Sequence, residues 1–107
     1  MTSAQIAIHD NPDASRYEAW VDGELAGFAV YRLLPGKVVF VHTEVGQAWE
    51  GHGVGTVLAG EALDEVRRQG KQVTPLCPFI AGFIHRHPEY VELVDEQHRS
   101  AFERLPR

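Results

Sequence analysis

Polar and apolar side chains alternate from Gln5 to His9 around Ile6 and Ile8, the period of a short strand. Asn11-Pro12-Asp13 interrupts it as a turn cluster. Arg16 to Val21 alternates again, with Tyr17, Ala19 and Val21 on one face. Asp22-Gly23 then gives a two-residue hairpin signal. Leu25 to Leu34 reads as a third strand and Pro35-Gly36 as the next turn. Val38 to Val45, rich in β-branched residues, reads as a fourth strand. This first part predicts an antiparallel meander.

The period changes after a small-residue stretch from Gly46 to Gly53. Val54, Leu58, Ala62 and Val66 recur every fourth position with Leu63 beside them, while Glu61, Asp64, Glu65 and Arg68 fall on other faces. Arg67 and Arg68 suit a last helical turn, and Gly70 suits the residue just past it. Gln72 to Leu76 reads as a short strand. Pro78 can open a second helix whose apolar residues are Phe79, Ile80, Phe83 and Ile84, ending before Pro88. Tyr90 to Val94 fits either a last short strand or a packing segment, and Asp95 to Arg107 a polar, partly ordered terminal helix. The order is four strands, a loop, a helix, a strand and a helix. This is an α+β fold with a mixed sheet, and the strand-helix-strand unit over 38–76 predicts a crossover joining parallel strands.

Length and composition narrow the picture. The 107 residues fit one domain, with a core over about 5–94 and a polar tail over 95–107, and 44% hydrophobic residues can fill that core. Net charge is −5, so no basic field would draw nucleic acid, and an acidic shell repels anions at long range. The single cysteine, Cys77, excludes an intramolecular disulfide. No charged-then-apolar leader is visible at the N-terminus, and no apolar run approaches the ~20 residues that span a bilayer. The expectation is a cytoplasmic protein, off the membrane, monomeric or a weak homodimer.

Glu50-Gly51-His52-Gly53-Val54-Gly55-Thr56 joins the fourth strand to the long helix. Its glycines let the backbone approach a ligand. The helix start adds unpaired N–H groups and a dipole of about +0.5 charge. Together they suit a phosphate or diphosphate. A Walker loop would need a Lys after its last glycine, and none is present. A dinucleotide fingerprint can be spelled only loosely, and four antiparallel strands before the loop do not suit that fold. No metal is expected, since His85-Arg86-His87 lacks supporting ligands at metal spacing.

Glu50 to Gly55 resembles the acetyl-CoA motif of the GCN5-related N-acetyltransferases, Arg/Gln-x-x-Gly-x-Gly/Ala, with Glu50 in place of the usual first residue. His52 stands where that family often has Lys or Arg. Val41-His42-Thr43-Glu44-Val45, Pro75-Leu76-Cys77-Pro78-Phe79 and Arg86-His87-Pro88-Glu89-Tyr90 extend the resemblance to the compact, short branch of that superfamily, over about residues 5–94. It implies a truncated fold of that family that binds acetyl-CoA and passes an acetyl group to a primary amine, small-molecule or protein. The alternative is a non-catalytic acyl-CoA-binding module, favoured by the short chain.

The resemblance also implies roles. Diphosphate rests on residues 51–55, and the fourth and fifth strands diverge to receive the pantetheine arm. Glu44 is the candidate base for the acceptor ammonium, which must lose a proton before attack. His42, two residues away on the same strand face, is its candidate partner. Cys77 is a candidate proton donor or acyl carrier, and a backbone N–H near Val45 a candidate oxyanion donor. Val45, Glu50, Gly51, His52, Gly53, Val54, Gly55, Thr56, Cys77, Phe79 and His85 form the expected cofactor-binding set, His85 or Arg86 toward the adenosine 3′-phosphate. Phe79, Phe83 and Tyr90 are also expected in the core, and Trp49 as a shield beside the loop.

Overall fold

The computed structural model describes residues 5–103. The ends of the predicted single domain, 1–4 and 104–107, lie outside them, and so does the last part of the expected tail. Five strands form one sheet: β1 (Ile6–Asn11), β2 (Arg16–Val21), β3 (Glu24–Leu34), β4 (Lys37–Val45) and β5 (Gln72–Pro75). They lie in the order β1-β2-β3-β4-β5. β1 to β4 are antiparallel neighbours, and β5 adds to β4 in parallel after helix α1 (Val54–Arg68). The mixed α+β architecture is the predicted one. β1 runs to Asn11 rather than stopping at His9, since each residue from Ile6 to Asn11 finds a partner on β2.

α1 exists because its apolar stripe has somewhere to go. Val54, Leu58, Ala59, Ala62, Leu63 and Val66 are all buried against the sheet. Beneath them Tyr17, Tyr31 and Phe40, from three neighbouring strands, hold their ring centroids 5.3–6.5 Å apart. Leu58 is fully buried, so Leu58→Ala would cost about 2–5 kcal/mol. The helix ends where expected: Gly70 takes a φ of +69° and its N–H bonds the Arg67 carbonyl. Helix α2 (Pro78–Arg86) lies along α1, with Phe79 against Gly55 and Phe83 against Gly60.

Tyr90 to Val94 is not a strand. Pro88–Leu93 is a 3₁₀ stretch, and Val94 alone bridges β5, at Val73. The reason is tertiary. The Tyr90 hydroxyl donates to Asp64 on α1 at 2.7 Å, and Arg67 Nη2 donates to the Glu89 carbonyl at 2.8 Å, which curls the segment over the helix. Helix α3 (Glu96–Glu103) follows. At its start the carboxylate of Asp95, 2% exposed, accepts from Thr74 Oγ1 at 2.9 Å and pairs with His98 Nδ1 at 2.9 Å. Lys37 Nζ lies 3.6 Å away. This cluster ties the C-terminal segment to β4 and β5.

The opposite sheet face carries Arg16, Glu18 and Trp20 of β2, Phe28 and Val30 of β3, and His42 and Glu44 of β4, aligned by the register. Glu18 is buried there at 6% exposure by its own neighbours. It accepts from Asn11 Nδ2, Arg16 Nε and Trp20 Nε1 at 2.8–3.0 Å. Among the described residues no helix is long and apolar enough to cross a membrane.

Candidate active site

Parallel pairing of β4 with β5 stops at Phe40 and Pro75. The Phe40 carbonyl accepts both the Leu76 and the Cys77 N–H at 3.0 Å, and beyond it the strands part. β4 continues to Val45 on β3 alone, its register shifted by a bulge between Val30 and Tyr31 that leaves Val41 unopposed. Gly46 N–H bonds the Ala26 carbonyl at 2.7 Å. Alternation along an antiparallel strand then turns the N–H groups of Val45 and Thr43 away from β3, into the fork.

A cleft of about 480 Å³ opens at this fork. Its floor is Thr43 and Val45, its walls are Trp49 and Phe79, and its rim is Glu50 to Thr56 without His52. Gly53 caps α1 with φ +83° and ψ 6°, and no side chain caps the helix. The first helical bond is Val57 N–H to the Gly53 carbonyl, so the N–H groups of Val54, Gly55 and Thr56 are left without partners among the described residues. A Cβ on Gly53 would meet nothing within 4 Å, so what selects glycine here is the backbone angle. Gly55 is different: a Cβ there would stand 2.5 Å from Phe79 Cζ. Its bareness is what lets α2 start against α1.

Most of the expected cofactor-binding set meets at the cleft: Val45, Glu50, Gly51, Gly53, Val54, Gly55, Thr56 and Phe79. Cys77, 2% exposed, sits behind the floor, its Sγ–H donating to Thr43 Oγ1 at 3.2 Å. Four residues stand elsewhere. His52 is exposed in the turn and does not line the cleft. His85 falls in the last turn of α2, its ring 4.5 Å from that of Phe102 on α3. His42 and Glu44 pair as expected, Nε2 to Oε2 at 2.8 Å, but on the opposite face of β4 from Thr43 and Val45 and more than half exposed. Thr43 was not singled out by its residue type. Its place two residues before Val45, on the same face of the strand, is the only signal the sequence held.

Residues 16–93 match the profile of the GCN5-related N-acetyl-transferases, well over half of the chain. The chain belongs to that acetyltransferase family. As a GCN5-related protein it shares its fold with a GCN5-like protein from Staphylococcus aureus solved by NMR. That pair has a TM-score of 0.61 and 16% identity over 92% of this chain and 97% of the other. It is also similar to the crystal structure of a nourseothricin acetyltransferase, with a TM-score of 0.51 and 22% identity over 83% of this chain and 68% of that one. A comparison with curated protein sequences gave no significant match.

Proposed function

We propose that this GCN5-related protein is an acetyl-CoA-dependent N-acetyltransferase whose acceptor is a primary amine. The observation that carries the reading is the uncapped start of α1 at the rim of a cleft formed where two parallel strands part. Three unpartnered N–H groups at a positive helix end suit a diphosphate, and the cleft beside them suits its extended arm. Acetyl-CoA supplies, when bound, an acyl thioester open to amine attack.

The chain's own residues divide the remaining work. The amides of Val54, Gly55 and Thr56 hold the diphosphate, and Trp49 and Phe79 exclude water from the arm. The Val45 N–H, free on the fork side of β4, is placed to hold the carbonyl oxygen as charge grows on it. Glu44 takes the proton of the acceptor ammonium, with His42 fixing its carboxylate, so the acceptor approaches from the open sheet face. Cys77 supplies a proton at the leaving sulfur through the Thr43 hydroxyl, which lines the cleft and accepts from its Sγ. No imidazole or carboxylate hydrogen-bonds its Sγ among the described residues, which favours this role over acyl carrier.

Calorimetric titration with acetyl-CoA, followed by CoA release in the presence of primary amines, tests the reading. Saturable binding and amine-dependent release support it, and absence of binding overturns it. One observation favours a second reading, an acyl-CoA-binding module. Glu44 lies on an exposed face with its side chain 59% accessible. Binding without release from any amine would support that module.

A further inference from the structure

A second, smaller cavity of about 100 Å³ lies on the helix side of the sheet at its β1–β2 edge, lined by Ile8, Asp10, Tyr17, Glu61, Glu65 and Arg68. Glu61 sits seven residues along α1 from Val54, about 10 Å from the cleft end of the helix. Two of its charged groups already satisfy each other. Glu65 Oε1 accepts from Arg68 Nε and Nη2 at 3.0 and 2.7 Å, and its Oε2 accepts from Gln69.

Three oxygen acceptors remain. Asp10 uses Oδ1 for the Tyr31 hydroxyl at 2.6 Å, and its Oδ2 has no partner among the described residues. Glu61 has no side-chain partner among the described residues. Tyr17 is 4% exposed, and its hydroxyl has no partner among them either. Among the described residues no side-chain oxygen is both fully enclosed and unbonded, so the Tyr17 hydroxyl opens into the cavity it lines. Burial first, and then the charges of Asp10 and Glu65, push its pKa up to about 12 against the pull of Arg68, which puts that oxygen among these groups as a neutral phenol.

We propose that this cavity binds the head of a primary alkylammonium ion. Such a head carries three N–H donors, which match Asp10 Oδ2, the Glu61 carboxylate and the Tyr17 phenol oxygen. The two unpaired carboxylates supply the charge, and Ile8 supplies an apolar wall for the first methylenes. The volume equals that of about three waters, enough for such a head. A quaternary ammonium offers no donors. A metal ion is disfavoured because no three His, Cys, Asp or Glu side chains converge on one point among the described residues.

The test is a titration of the ¹⁵N-labelled chain with n-propylammonium chloride at fixed ionic strength, with tetramethylammonium chloride as control. Saturable amide shifts are expected at Asp10, Tyr17 and Glu61. They should need at least fivefold more ligand in Glu61→Gln and in Tyr17→Phe, and be unchanged in the cleft variant Thr56→Glu. Glu61→Gln alters an exposed position, so it decides the matter even where Tyr17→Phe perturbs folding. Linear shifts, equal shifts from tetramethylammonium, undiminished affinity in Glu61→Gln, or shifts confined to the cleft would each overturn the proposal.

Discussion

Thr56 stands exposed in the first turn of α1, where a carboxylate ordinarily steadies a helix. The same carboxylate would repel a diphosphate on the neighbouring amides. Thr56→Glu is therefore expected to keep or raise Tm while weakening acetyl-CoA at least tenfold by calorimetry. Glu50 presents its negative charge at the same rim. Glu50→Gln should tighten acetyl-CoA several-fold, most visibly at low salt, where charge repulsion reaches furthest. Cys77→Ala should lower turnover about tenfold with the acetyl-CoA Kd unchanged. Full activity would reduce Cys77 to a filler between β4 and α2.

At the scale of elements, Gly55 packs so tightly on Phe79 that a Cβ there would stand 2.5 Å from the ring. Gly55→Ala has no room unless the Phe79 ring swings into the cleft it lines. The expected result is about 1 kcal/mol of lost stability in a denaturant titration, together with weaker acetyl-CoA binding. The elements themselves could be read from the sequence where local chemistry decides them. Asp22 and Gly23 take φ of +51° and +80°, the mirror-image turn their residue types favour. The α1 stripe and Gly70 fixed the helix and its end. What could not be read is decided across the chain. Cys77 meets Thr43 from 34 positions away. The bulge that turns Val45 toward the fork depends on how β3 and β4 align. Tyr90, Val91, Leu93 and Val94 fit a strand or a turn equally well until Asp64 and Arg67 draw them over α1. The rim glycines marked the turn into α1 that the cleft opens on. Which face of β4 bears Glu44 relative to the cleft needed the fold.

At the scale of the whole molecule, the buried carboxylates Asp95 and Glu18 link stability to acid. For Asp95, burial pushes the pKa up, but the hydrogen bonds from His98 and Thr74 and the nearby His98 and Lys37 charges outweigh it and hold the group below the usual range. Glu18 is also lowered, first by its bond from Asn11 and then by Arg16 and Trp20, against its own burial. Folded values below unfolded ones mean stability that is present above the ordinary carboxylate pKa and lost as pH falls through the folded values. Urea midpoints should therefore drop steadily below about pH 4. Asp95→Asn should cost about 2–3 kcal/mol at pH 7 and flatten that decline. An unchanged slope would remove Asp95 as a cause. The Phe40 carbonyl, shared by two amides, has a consequence of its own. Since the ladder between β4 and β5 already ends there, a guest entering the fork ruptures no main-chain bond. Hydrogen exchange in both strands should then slow on binding only at the mouth, with the rest of the sheet as protected before the encounter as after it.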